Sequence, residues 1–344
     1  MRRLHFAFLA CNKNSRLFRD DPSYIYRCEN LGLALQAAGH RVSLLHWTAL
    51  SPRKYFDVAI FHRPRFSFVW RALLFLLRRT GVKLIADVDD LVFDPTLSTC
   101  SPGVLNGQIS LAKTRRQYES HCRALRCFDM VTTSTQPLAE EVLRCLPGTS
   151  VKVLPNSVHL TWRTAPRPAK KHPGHVVTYF TGTRSHDRDF AVYSSGIERF
   201  LENDHTARLE VVGPLVFQLQ SRPGQVIHHA KVAFSNYAEL VGNSWVNLAP
   251  LEPTPFTRCK SALKIMEAGF YGIPTVCSPG PDAARFEGAG AIFALDGDAC
   301  FNALMSLTKP AYYKTITEEL PKRVTALADG SSVAETLLKF LGTK

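Results

Sequence analysis

The chain has 344 residues, 45% hydrophobic and 21% charged, an ordinary globular composition long enough for two domains. Its formal net charge of +13 favours anionic partners: nucleotide phosphates, nucleic acid or an acidic membrane surface. Nine scattered cysteines include no Cys-x-x-Cys pair, which excludes a zinc ribbon and a disulfide framework and fits free thiols in a reducing compartment.

The start, "MRRLHFAFLACN", superficially resembles a lipoprotein signal ending at Cys11, but the apolar run is too short and reads as a first strand. A helix follows over "PSYIYRCENLGLALQAAGH", with Gly39 as its stop signal. "RVSLLHW" and "FDVAIFHR" are strands, "FVWRALLFLLRRTG" is a helix and "VKLIADV" is a strand. The longest apolar stretch, "FSFVWRALLFLLRR", is interrupted by Arg71 and too short to span a bilayer, so the chain reads as cytoplasmic. A long helix around "LAKTRRQYESHCRALRCF" leads to "MVTTST" (strand), "QPLAEEVLRCL" (helix) and "VKVLPNS" (strand).

"VHLTWRTAPRPAKKHPGH" breaks the pattern and reads as a linker. Alternation then resumes through "VVTYFTG", a helix near "DFAVYSSGIERFLEN", "ARLEVVG", "QVIHHAK", a helix near "NYAELVGN" and "WVNLAPL". The helix in "CKSALKIMEAGFYG" and the strand "GIPTVCS" come next, and helices close the chain. Such alternation predicts an α/β fold: two doubly wound parallel sheets, residues 1–160 and 176–344, joined by a linker over 161–175. The last helix is placed to return to the first domain. Ligands of such sheets bind beyond the carboxyl ends of the strands, in a cleft that the two domains are expected to face.

Lys260, Lys264, Glu267 and Tyr271 recur at helical spacing, with Ser261 near the helix start. A helix N-terminus attracts phosphate, two lysines add charge, and a carboxylate one turn deeper suits the paired hydroxyls of a ribose. The competing reading is a solvated face with a Lys264–Glu267 ion pair worth ~0.3–0.5 kcal/mol.

The stretch "SALKIMEAGFYGIPTVCSP" resembles the donor-site signature of GT-B glycosyltransferases, especially those similar to family 4. In that family a glutamate followed by a small residue and Gly-x-Pro-x-Val binds the nucleotide ribose. Glu267 matches the glutamate, and Gly272, Pro274 and Val276 match the tail. "YFTGTRSHDRDF", "KLIADVDDLVFDP" and "VLPNS" resemble, in the same order, segments of a branch found among surface-polysaccharide glycosyltransferases. The pattern departs at Cys259, where the family usually carries a second glutamate that holds the donor sugar.

In "FTGTRSHDRDF", Gly182 and Thr183 let backbone N–H groups approach a phosphate, and Arg184 or Arg188 is placed to pair with a diphosphate. His186 could bond the leaving phosphate or the sugar. In "ADVDDLVFD", the candidates are Asp87, Asp89 and Asp90, with Asp94 beyond them. They could bind sugar hydroxyls, steady charge at the anomeric carbon or act as general base; the plain alternative is that Asp89 or Asp90 caps a helix. Asp-x-Asp also invites a divalent metal, as in GT-A enzymes. The GT-B enzymes resembled here generally need none, so neither metal nor other cofactor is expected. Arg16, Arg19 and Arg27 could meet an anionic acceptor in place of a Gly-rich first loop. His228 and His229, adjacent on a strand, point to opposite faces and make no ligand pair.

The resemblance implies transfer of a sugar from a nucleotide-sugar donor to a glycan or lipid-linked acceptor in bacterial O-antigen, capsule or lipopolysaccharide synthesis. The second domain would hold the donor and the first the acceptor, with domain closure excluding water and configuration retained. "RPRFSFVWRALLFLLRR" could rest on an anionic inner membrane, or simply cover the sheet. The rival readings are a sugar-nucleotide epimerase of the same fold, an inactive scaffold and a nucleic-acid-binding protein. The last lacks any recognised module, so nucleic acid is not an expected partner.

Overall fold

A computed structural model describes residues 2–11, 14–50, 55–164 and 174–342. The chain divides into two compact units. The first comprises Met1–Arg163, Cys259–Ser261 and Asp329–Lys344, and the second Thr164–Arg258 and Ala262–Ala328.

The first unit is built on β1 (His5–Ala10), β2 (Arg41–His46), β3 (Val58–His62), β4 (Lys83–Val88), β5 (Met130–Thr133) and β6 (Ser150–Val153). All pair in parallel, in the order β2-β1-β3-β4-β5-β6. A parallel sheet covered on both faces needs near-continuous apolar strands, which "HFAFLA" and "VAIFH" supply. Phe6, Phe8, Ile60 and Ile85 form one core with Tyr24, Cys28 and Leu35. The last helix, Gly330–Phe340, adds Ala334, Leu337 and Leu338 to that same core.

Asp21 caps the helical segment after β1 by accepting from the Ser23 N–H at 3.2 Å. That segment runs as Pro22–Tyr24, a π-helical stretch Ile25–Asn30 and an α-helix Leu31–Ala37. Gly39 ends it at φ +89°, a conformation that L side chains rarely adopt. The expected linker begins instead as a helix, Leu160–Thr164, whose Trp162 is buried beside Tyr26 and His159. Burial of one large aromatic outweighs the Pro- and Lys-rich composition that suggested a loop. Residues 165–173 of that stretch lie outside the described residues.

The second unit carries β7 (Val176–Phe180), β8 (Arg208–Val212), β9 (Val226–His229), β10 (Val246–Ala249), β11 (Thr275–Cys277) and β12 (Ala291–Phe293). They are parallel in the order β12-β11-β10-β7-β8-β9. Its core gathers Val177, Tyr179, Leu209, Val211 and Leu248 with Phe190, Ile197 and Phe200. The helix expected near residues 189–203 is two, Asp187–Ala191 and Ser194–Asn203. Gly196 touches backbone there: a Cβ on it would lie 2.0 Å from the Gly297 carbonyl oxygen. Among the described residues, no helix is long and apolar enough to cross a membrane.

Candidate functional site

In each sheet the strand order reverses at one point, between β1 and β3 in the first unit and between β7 and β10 in the second. The carboxyl ends beside such a reversal are where open α/β sheets bind ligands. Both carry polar clusters here.

In the first unit, β3 ends in His62-Arg63 and β4 runs out through Asp87, Asp89 and Asp90. Asp87 is buried and its oxygens accept from Arg27 Nη2 (2.6 Å), Arg27 Nε (3.2 Å) and Thr132 Oγ1 (2.8 Å), with His62 Nδ1 at 2.9 Å. Burial alone would raise its carboxyl; Arg27 and His62 outweigh that and pull it down to about 2. Asp87 is therefore a buried anchor, which corrects the expectation that it meets a substrate. The same bonds correct Arg27. It is 4% exposed and held by Asp87, the Leu154 carbonyl and Asn156, so it does not reach an acceptor.

Asp89 and Asp90 lie nearer the surface. Asp89 accepts from Arg63 Nε and from Ser23 Oγ, and Ser23 Oγ is 2.9 Å from His62 Nε2. Burial opposes ionisation of Asp89, but Arg63, with His62 and Ser23, holds its carboxyl well below the usual carboxylate range. Asp90 accepts from Arg63 Nη2 at 2.7 Å and from Lys260 Nζ at 2.6 Å. Neither is a helix cap. That part falls to Asp94, which accepts from Thr96 N at 2.9 Å at the head of Pro95–Cys100. Arg63, which bridges both aspartates, sits at φ +50°, left-handed backbone that a long side chain adopts only where its surroundings hold it.

Lys260 does not share the helix face expected for it. The helix spans Leu263–Phe270, and Cys259–Ser261 belongs to the first unit. There the Thr135 hydroxyl donates to the Cys259 carbonyl (3.0 Å), Lys260 pairs with Asp90, and Asn156 Nδ2 donates to Ser261 Oγ (3.1 Å). Tertiary contacts override the i, i+4 spacing that aligned Lys260 with Lys264. Among the described residues, no group of three or more His, Cys, Asp or Glu side chains is arranged to hold a metal ion.

In the second unit, Lys264 and Glu267 do share the Leu263–Phe270 helix. Lys264 Nζ lies 4.4 Å from the centre of the Tyr179 ring, on β7, and Asn247 of β10 donates to the Lys264 carbonyl at 3.4 Å. Both contacts tie the helix to the two strands that flank the reversal. Glu267 is 5% exposed, and Oε2 accepts from the Tyr237 hydroxyl at 2.8 Å. Burial and the Glu267 charge push the Tyr237 hydroxyl far above its ordinary range, which keeps it a donor. The helix entrance carries an unforeseen carboxylate: Asp282 Oδ2 accepts from the Ala262 N–H at 2.7 Å.

The loop after β7 exposes Gly182, Thr183 and Arg184. His186 Nδ1 sits 2.8 Å from Asp189 Oδ2, whose other oxygen accepts from the Glu252 N–H at 2.9 Å. Arg188 forks onto the Glu252 carboxylate through Nε (2.8 Å) and Nη2, so it is already paired. His228 and His229 are the last two residues of β9; His228 Nε2 meets the Gly213 carbonyl at 2.6 Å and His229 Nε2 meets Glu210 at 3.3 Å, separate contacts as strand alternation requires.

Ser23, His62 and Arg63 escaped the sequence reading. His62 stands directly opposite Asp87 in the parallel register of β3 and β4, so the two strand ends "FHR" and "ADVDD" held the signal.

No protein-family model matches the chain, and no curated protein matches it in sequence. Solved structures do match in shape. WaaG, a glycosyltransferase involved in lipopolysaccharide biosynthesis, aligns over 98% of this chain and 100% of its own at 12% identity, with a TM-score of 0.57. AviGT4, a glycosyltransferase involved in avilamycin A biosynthesis, aligns over 98% and 96% at 13% identity, with a TM-score of 0.58. A Listeria monocytogenes protein assigned as a UDP-N-acetylglucosamine 2-epimerase aligns over 99% and 96% at 9% identity, with a TM-score of 0.56. With two Rossmann-like units on six-stranded parallel sheets, the chain has the GT-B fold.

Proposed function

We propose that this chain is a glycosyltransferase, similar to family 4, that moves a sugar from a nucleotide-sugar donor to a glycan or lipid-linked acceptor in bacterial surface-polysaccharide synthesis. The observation that carries this reading is Lys264 and Glu267 on one helix beside the β7/β10 reversal of a GT-B fold. Glu267 would hold the ribose, and Lys264 with the Gly182–Thr183–Arg184 loop the diphosphate. The first unit would bind the acceptor, its hydroxyl meeting Asp89 or Asp90. Retention of configuration follows from the family resemblance. WaaG and AviGT4, both described as glycosyltransferases, support the reaction class.

A thermal-shift screen against UDP, GDP, CMP and dTDP sugars tests the reading. A donor at a hundred times its dissociation constant stabilises by ~2.7 kcal/mol, a readable rise in Tm. No shift with any of them would end the proposal. The Listeria likeness favours a second reading, a sugar-nucleotide epimerase. That enzyme would convert its nucleotide sugar with no acceptor present, whereas a transferase needs one.

Turnover is expected to survive EDTA and dialysis. Arg63 and Lys260 already neutralise Asp89 and Asp90, which leaves those carboxylates poorly placed to recruit a divalent ion. Activity lost on chelation and restored by Mn²⁺ or Mg²⁺ would refute this.

Asp89→Asn or Asp90→Asn is expected to reduce kcat more than His186→Ala at saturating donor. A carboxylate where the acceptor proton and anomeric charge move contributes mainly in the transition state, and its loss lowers kcat by ~10²–10⁴ if it is a general base. Asp89, held so far down, is a weak base, so its charge is the larger loss there. His186 would act on the donor side, in ground and transition states alike. Near-normal kcat in both aspartate variants beside a collapse in His186→Ala would reverse these roles.

A further inference from the structure

The helix Phe68–Arg78 is apolar on both of its faces. Trp70, Leu74 and Leu77 recur at helical spacing and are buried, which accounts for its packing in the first unit. On the opposite side Phe68, Val69, Phe75 and Leu76 are 77%, 72%, 58% and 46% exposed. With Ala72, also exposed, they form a continuous stripe along the outside of the helix. A helix that only covers a sheet turns polar residues outward. This one turns out large apolar residues, and such patches mark interaction surfaces.

The charge around the stripe has one sign. Arg71, Arg78 and Arg79 lie on the helix, and from Arg63 to Ala86 the sequence contains no carboxylate. Arg79 sits over the Phe75 ring at 5.2 Å, and Arg123 of the helix Leu111–Leu125 sits over Phe66 at 4.2 Å. Two bonds join the ends of these helices: the Phe66 N–H donates to the Ser120 carbonyl (3.2 Å) and Arg78 Nη2 donates to the Cys127 carbonyl (2.5 Å). Arg123 is thereby held beside the start of the Phe68–Arg78 helix, and exposed Arg116 and Arg126 stand seven and three residues from it, at the spacing of one helix face, while Glu119 is paired with Arg115.

We infer that the Phe68–Arg78 helix lies in the interface of an anionic phospholipid bilayer, with Phe68, Val69, Phe75 and Leu76 in the acyl boundary and the arginines on headgroup phosphates. An apolar stripe edged by cations is complementary to such a surface. A second copy of this chain would set arginine against arginine, which disfavours it. Long arginine side chains can also lie along the apolar stripe and keep their heads at the phosphates. The inference deepens the proposed function by naming where a lipid-linked acceptor would be met, but vesicle binding itself requires neither donor nor turnover.

The test is co-sedimentation of the full chain with vesicles of phosphatidylcholine alone or with 30% phosphatidylglycerol. Binding is expected to the anionic vesicles only, to weaken as salt rises, and to fall at least tenfold in Phe68→Ser/Phe75→Ser and in Arg71→Gln/Arg79→Gln. All four side chains are exposed, so Tm and the donor-induced thermal shift should stay at wild-type values. Wild-type protein that stays in the supernatant with both vesicle types would overturn the inference. So would equal binding by both double variants. A dimer seen by light scattering and abolished by Phe68→Ser/Phe75→Ser would assign the stripe to a second copy instead. Loss of the donor shift in wild-type protein with vesicle binding intact would refute the transferase reading alone.

Discussion

An Arg27→Ala variant is expected to lose about 3–5 kcal/mol of stability, the usual cost of removing one partner from a buried ion pair. Arg27 is 4% exposed and spans Asp87, the Leu154 carbonyl and Asn156. Its loss strands the Asp87 charge inside the first unit and leaves a buried carbonyl without its donor. Asp87→Asn alone should cost less, because Thr132 and His62 still meet the side chain. The double variant Arg27→Ala/Asp87→Ala should lose less than the two single alanine changes added together. Urea unfolding measures all of these, and a loss below 1 kcal/mol for Arg27→Ala would show the pair to be solvated. Acid gives the same result by another route. The Asp87 carboxyl is depressed to about 2 in the folded chain, against about 3.9 when unfolded. Its contribution is therefore complete above the unfolded value and disappears as pH falls through the folded one.

Glu267→Gln is expected to weaken donor binding by about 3 kcal/mol or more, over a hundredfold in Kd. Two hydroxyls donating to one buried carboxylate make charge-assisted bonds, and an amide replaces one accepting oxygen with a donor. Glutamine is a better probe than alanine. Its amide oxygen can still accept from Tyr237, whereas alanine strands that hydroxyl in a buried place. Calorimetric titration with the donor nucleotide reads the effect, with Tm as the control for folding. An unchanged Kd would remove Glu267 from the ribose site, whatever its effect on turnover.

The sheets were legible because strands buried on both faces are written as apolar runs, and "HFAFLA", "KLIADV" and "VVTYF" each coincide with one. β12 was missed because a three-residue strand, Ala291–Phe293, is too short to show any period. That Lys264 and Glu267 share a helix was legible from their spacing. Lys260 was misplaced because spacing alone cannot tell that the chain at Cys259–Ser261 packs with the first unit. The aspartates were visible as a cluster, but their partners were not. Ser23 and Arg27 lie on the helical segment after β1, Arg63 follows β3 and Thr132 lies on β5, and they converge only once the sheet forms.

The last helix places a constraint on the order of assembly. Ala334, Leu337 and Leu338 fill the core around Phe6, Phe8 and Leu35, so the two ends of the sequence meet in one hydrophobic interior. During synthesis from the N-terminus, the first unit cannot complete that interior until Leu341 has left the ribosome. Residues 164–328, without the short return of Cys259–Ser261 to the first unit, make up the whole of the second unit. The unit that is made first is thus the one that closes last. Its apolar residues wait through the making of the other unit, and contacts between such distant segments are the slow ones to form.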